Sequence, residues 1–147
     1  MPVATPINTE RRHQSYELIA KLQNGRQEVL SLYCNFAELK PFSANDAVKS
    51  LLTQFSQLLV DYVSLGHFGV YERVLSGNER RSRVLTVAKD IYPEFSATTD
   101  AAILFNDKYD NVEKMDVFED LEEDLSALGA SLTKRSDLED RLCEVMK

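Results

Sequence analysis

The sequence predicts an all-α fold, an antiparallel bundle of about four long helices with additional short ones. Three observations predict it. Apolar residues recur at spacings of three and four along most of the chain, the signature of one helix face after another. The four prolines and five glycines are sparse and mostly fall where helices would break. No sustained period-two run of β-branched residues bounded by turns occurs anywhere. At 147 residues the chain is expected to be a single helical domain, residues 1–147, large enough to hold together without disulfide or metal.

The elements follow in order. Pro2 and Pro6 lie in a polar N-terminal arm, residues 1–9, that is expected to fray. From about Glu10 to Leu39, the residues Leu18, Ile19, Leu22, Val29, Leu30, Tyr33, Phe36 and Ala37 mark one long helix, stopped by Lys40-Pro41. Gly25 and Arg26 interrupt that stripe, which predicts a local kink or a polar spot on the inward face. Ser43 or Asn45 offers an N-cap for a second stripe, Val48, Leu51, Leu52, Phe55, Leu58, Leu59 and Tyr62, which ends at Gly66 as an expected left-handed cap. Phe68, Tyr71, Val74 and Leu75 predict a short third helix closed by Ser76-Gly77-Asn78. The cluster Arg80, Arg81 and Arg83 precedes Val84, Leu85, Ala88 and Ile91, a segment expected to stop at Pro93, with Thr98 or Thr99 capping a further helix through Ala102, Phe105 and Tyr109. Phe118, Leu121, Leu125, Leu128, Leu132, Leu138, Leu142 and Val145 form the last stripe, in which Gly129 marks close packing or a break.

Composition excludes several classes of function. Seventeen Lys and Arg against 24 Asp and Glu leave a net charge of −7 and a pI near 4.9. Nucleic-acid binding and docking on anionic membranes both depend on basic patches, so neither is expected, and an acidic domain suits a basic protein partner. No run of about 18 apolar residues exists to span a membrane, and the start Met1-Pro2-Val3-Ala4-Thr5-Pro6 lacks a secretory signature, so a cytoplasmic location is expected. Cys34 and Cys143 are far apart and read as buried, reduced thiols. His13 and His67 cannot furnish a multi-histidine metal site, and neither GxGxxG nor GxxxxGK[ST] is present. No catalytic residue, cofactor or metal site is therefore expected.

The informative stretch is Leu59-Val60-Asp61-Tyr62-Val63-Ser64-Leu65-Gly66-His67-Phe68-Gly69-Val70-Tyr71-Glu72-Arg73. It reads as a helix end, a tight turn and a new helix, carrying an acid, two tyrosines, a histidine and a phenylalanine. Tyr62 lies on the apolar stripe, and Asp61 is rotated about 100° from it, at the stripe's edge. A carboxylate there either sees solvent or holds a cation: an incoming Arg or Lys in a partner, or Arg26 or Arg73 of its own chain. Gly66-His67-Phe68 alone also reads as a simple helix stop, and the two tyrosines as core residues.

The stretch resembles the regulator-of-sigma-D family (Rsd/AlgQ), anti-sigma factors of bacteria. The matches are Leu59-Val60-Asp61-Tyr62, then Gly66-His67-Phe68, then Tyr71-Glu72-Arg73, with sparser agreement at Asn35, Leu39-Lys40-Pro41, Ala88-Lys89, Ile91, Pro93 and Leu138-Glu139-Asp140. The resemblance implies a helical bundle that binds the primary sigma subunit of RNA polymerase, chiefly its C-terminal domain, which reads the promoter −35 element. That domain is basic, matching an acidic partner. Occlusion is the implied mechanism, with sigma kept from core polymerase and promoter DNA. The implied contact residues are Asp61, Tyr62, Ser64, His67, Phe68, Tyr71 and Glu72. The first helix departs from the family, with Ala20-Lys21-Leu22-Gln23 in place of an acidic-basic-Trp-Leu run, and the chain has no Trp.

Two other classes compete with this reading. A histidine phosphotransfer bundle would use His67 as acceptor, but the glycine before it and Phe68-Gly69-Val70-Tyr71 after it are the wrong surroundings. A bundle enzyme or metal carrier would need histidines at ligand spacing beside its carboxylates. The leucine-rich C-terminal helix fits packing within the chain or between chains, and a monomer is the expectation.

Overall fold

The computed structural model describes residues 6–40, 42, 45–71, 81–109 and 119–146. They form an all-α bundle of four long helices: α1 (Pro6–Ala37), α2 (Asp46–Ser64), α3 (Ser82–Lys108) and α4 (Leu121–Met146). A seven-residue π-helical segment, Leu65–Tyr71, continues directly from α2. Successive helices run antiparallel, as their pairings show. Gly25 of α1 faces Tyr62 of α2 while Phe36 faces Phe55. Phe55 meets Phe105 of α3, and on α3 and α4 Tyr109 lies by Asp124 while Asp90 lies by Arg141.

The core forms where the apolar stripes converge. Val29, Phe36, Leu52, Phe55, Leu59, Val84, Ala88, Ile91, Phe95, Ala102, Leu121 and Leu125 are buried in one cluster. Removing that apolar area from water is the main force holding the bundle together.

Local chemistry explains the helix ends. Asn45 caps α2 by accepting the Val48 N–H at 2.9 Å. α4 opens with Glu122, Glu123 and Asp124, which suit the positive end of the helix dipole. At its other end Arg81 donates to the Met146 carbonyl at 3.1 Å, satisfying one of the last free acceptors. α1 already includes Pro6, a residue well suited to a first helical turn because its missing N–H would have no partner there. Among the described residues, no helix is long and apolar enough to cross a membrane.

Four expectations from the sequence need correction. Pro93 does not end a helix, and α3 runs unbroken through it. Pro93 and Lys89 both lie on the exposed face, so the carbonyl deprived of its N–H partner is turned toward water. Thr98 and Thr99 consequently cap nothing; both hydroxyls bond back to the Phe95 carbonyl within the helix. Gly66 is not a left-handed cap, because α2 passes into the π-helical segment and Phe68 belongs to that continuation rather than to a separate helix. Cys34 is exposed, one residue off the buried stripe, while Cys143 is buried as expected. Arg80, Phe118, Val74, Leu75 and the Ser76-Gly77-Asn78 stop lie outside the described residues.

The two irregular glycines of the helices both serve close packing. Gly25 sits 3.6 Å (measured to a Cβ placed on it) from the Tyr62 ring, and the adjacent Arg26 is the polar spot on the inward face. Gly129 lies under Tyr33, whose hydroxyl donates to the Leu125 carbonyl at 2.8 Å. A Cβ on Gly129 would lie well inside van der Waals contact of the Tyr33 hydroxyl and 2.9 Å from its Cζ. Alanine normally favours a helix over glycine by up to about 1 kcal/mol. Here the clash reverses the sign: Gly129→Ala is expected to destabilise by about 1–3 kcal/mol, measured as a lower urea midpoint.

Candidate functional site

The end of α2 and the π-helical segment separate the candidate residues into two sets. Positions 57, 61 and 64 follow one another along the outer side of α2, the spacing of four and three that lines one helix face, and Phe68 follows in the π-helical segment. Asp61 is exposed there, its Oδ1 accepting from Gln57 Nε2 at 3.1 Å. Ser64 is half-buried, and Phe68 is 62% exposed. His67 tucks behind Phe68, edge-on to it with centroids 4.9 Å apart, and lies nearly parallel to Phe95 at 6.5 Å. Tyr92, also exposed, stands 6.5 Å from the His67 ring and extends the aromatic surface onto α3. Phe68, His67 and Tyr92 thus form a short aromatic ridge, with the exposed Asp61 upstream of it on α2.

Tyr62 belongs to the second, interior set. It is only 3% exposed, and its hydroxyl donates to Glu139 Oε1, so it is not part of the accessible surface. Burial pushes its phenol far up, and the Glu139 carboxylate adds to the shift. The backbone of Tyr71 ends the π-helical segment, and Glu72 and Arg73 lie outside the described residues. Arg26 is not the partner of Asp61. It donates to the Ser136 carbonyl at 3.3 Å and to Asp140 at 2.9 Å, with Glu139 at 3.5 Å.

Directly behind the ridge sits a buried polar cluster built by α2, α3 and α4, with the partly exposed Arg26 of α1 at its edge. Arg135, 0% exposed, donates from Nε to Glu139 at 3.1 Å and from Nη1 to Thr98 and Thr99 at 3.1 and 2.7 Å. Its Nη2 donates to the Val63 carbonyl at 3.3 Å. The guanidinium lies 4.1 Å over the Phe95 ring and 5.4 Å from that of Tyr62, geometry that adds cation–π attraction. Glu139, 1% exposed, is pushed up by burial, an effect that Arg135, Tyr62 and Arg26 offset in part. Sequence reasoning assigned Arg135 no role. The available signal was its place in the leucine progression of α4, where 132, 135, 139 and 142 advance by steps of three and four.

At the opposite end of the bundle the acidic start of α4 is tied to α3. Lys108 reaches Asp124 at 2.7 Å and Asp120 at 3.3 Å, and the Tyr109 hydroxyl donates to Asp124. Burial would raise the Asp124 carboxyl, but the bonds from Lys108 and Tyr109 outweigh it and hold it below the ordinary 3.8. A depressed carboxylate contributes stability that is present above the unfolded value and lost as pH falls through the folded one. Thermal stability is therefore expected to drop as pH falls below about 4, and Asp124→Asn to flatten that part of the profile. Glu139 acts with the opposite sign, so the wild-type and Asp124→Asn curves must be compared by difference.

Among the described residues no group of three or more His, Cys, Asp or Glu is placed to hold a metal ion. The molecule is a four-helix bundle that exposes aromatic residues, Phe68 just past the end of α2 and Tyr92 on α3. The family model described as "Regulator of RNA polymerase sigma(70) subunit, Rsd/AlgQ" matches residues 5–147. The chain is also similar to curated proteins named Regulator of sigma D. That of Yersinia enterocolitica is 32% identical over 140 residues, covering 92% of this chain and 84% of the relative. That of Enterobacter sp. (strain 638) is 33% identical over 137 residues, covering 91% and 82%. No solved structure matches the chain. The chain belongs to the Rsd/AlgQ family of regulators of the RNA polymerase sigma(70) subunit.

Proposed function

We propose that this protein binds the primary sigma subunit of bacterial RNA polymerase, chiefly its C-terminal, −35-reading domain. The bound sigma is thereby kept from core polymerase and promoter DNA, and the site of action is the cytoplasm. The observation that carries the reading is the exposed Phe68, backed by His67 and lying just past the end of α2, where Asp61 and Ser64 stand. A large aromatic side chain 62% open to water is an anchor in search of a pocket. The exposed Asp61 carboxylate upstream on α2 suits an arginine or lysine of a basic helix-turn-helix module. The family resemblance adds Tyr71 and Glu72 as contact residues, while Tyr62 supports the surface from within.

The net charge of −7 supplies long-range attraction toward a basic partner. Titration of the purified sigma C-terminal domain into this protein tests the reading. Saturable 1:1 binding that weakens as salt is raised, and that Asp61→Ala reduces without loss of helicity, is the expected result. No heat or shift at low salt would refute it. The phosphotransfer alternative gains no support from His67, whose ring is engaged in packing against Phe95 and Phe68.

A further inference from the structure

The ridge depends on an unusual piece of backbone. α2 is regular through Ser64, then the chain adopts π-helical geometry over Leu65–Tyr71. Such segments are rare and recur at functional sites, and breaks in the regular helical ladder need an identifiable cause, such as a side chain that engages it. A side chain does so here. Arg135 Nη2, from α4, reaches the Val63 carbonyl at 3.3 Å, two residues before the change of register. The same Nη2 lies 2.7 Å from where a Cβ on Gly66 would be, and Leu22 Cδ1 lies 3.3 Å from that point. Gly66 is the one residue type that lets the segment descend onto the guanidinium.

The guanidinium itself is not free to yield. Glu139, Thr98 and Thr99 hold its other nitrogens, and the Phe95 ring lies 4.1 Å away. Arg135 is thus the fixed part and the backbone the adjusting part. We infer that Arg135 is the positioning residue of the ridge: its grip on the Val63 carbonyl, with Gly66 seated against it, sets the π-helical register that aims Phe68. This inference rests on the proposed sigma-binding surface for its functional half only. Returning the segment to ordinary helix would turn Phe68 about the axis by a sizeable part of the roughly 100° between consecutive residues. Asp61, upstream of the change, would stay where it is.

Two variants test this in the full chain. Gly66→Ala drives a methyl into Nη2, and Arg135→Lys keeps the charge but replaces a planar five-donor fork by a compact ammonium. For each, nuclear Overhauser contacts along residues 61–71 report the register, and titration with the sigma C-terminal domain reports binding. The expected result is loss of the five-residue contact pattern with binding about thirty-fold weaker, at retained helicity. If Gly66→Ala does not fold, Arg135→Lys answers the same question. Retention of the five-residue pattern in the folded variants overturns the inference. A changed register with full binding leaves Arg135 as the determinant of register and instead refutes the ridge as the sigma surface.

Discussion

Replacing Arg135 with methionine is expected to lower the free energy of unfolding by about 3–5 kcal/mol, the loss typical when one partner of a buried ion pair is removed. Urea denaturation followed by far-ultraviolet circular dichroism measures it, as a shifted midpoint at nearly unchanged slope. The cost arises less from the bond lost than from what remains. Glu139, 1% exposed, would keep only Tyr62 and the more distant Arg26 as company. Thr98 and Thr99 would each lose the guanidinium N–H that its hydroxyl oxygen accepts, though both still donate to the Phe95 carbonyl. The triple variant Arg135→Met, Glu139→Leu, Tyr62→Phe removes the stranded groups together and is expected to recover most of the loss. A single-variant effect below about 1 kcal/mol would mean that the carboxyl is relieved by a proton or by water.

The second large effect is on binding rather than folding. Phe68→Ala is expected to leave stability within about 0.5 kcal/mol of wild type, because an exposed side chain has little packing to lose. Affinity for the sigma C-terminal domain is expected to fall about thirty-fold, some 2 kcal/mol, as for truncation of a central aromatic anchor. Leu104→Ala is the control. Leu104 is even more exposed, at 68%, and stands nine residues beyond Phe95 on α3, roughly 13 Å along the axis. That substitution should leave binding unchanged. Equal losses in the two variants would assign the effect to general surface apolarity and not to the ridge.

Much of the fold was legible in the primary structure because burial writes its period directly into the chain. The stripes of α1, α2 and α4 and the Asn45 cap follow from spacing and capping chemistry alone. Pro93 misled because the rule against interior proline concerns a lost bond, and that bond matters little when its carbonyl faces water. Gly66 misled for a related reason: glycine signals a missing side chain, and the sequence alone does not say whether the vacancy serves a turn or a close neighbour. The neighbour is Arg135, sixty-nine positions further along the chain. The exposure of Asp61 was readable from its place at the edge of the stripe, whereas that of Phe68, which the spacing assigned to an apolar face, was not. Nor was the interior half of the site, since a charged residue in a leucine repeat acquires meaning only when the opposing helices show which groups await it.

The meeting of Arg26, Tyr62, Thr98, Thr99, Arg135 and Glu139 at one level has a geometric corollary. Leucine stripes are nearly interchangeable from turn to turn, and a bundle made only of them would let one rod slide past another by about 5.4 Å at little loss. Here such a slip would carry a guanidinium or a carboxylate into hydrocarbon. The ionic level therefore works as an index mark along the long axis, fixing every rod's height against the other three and, with it, the height of whatever is displayed outside.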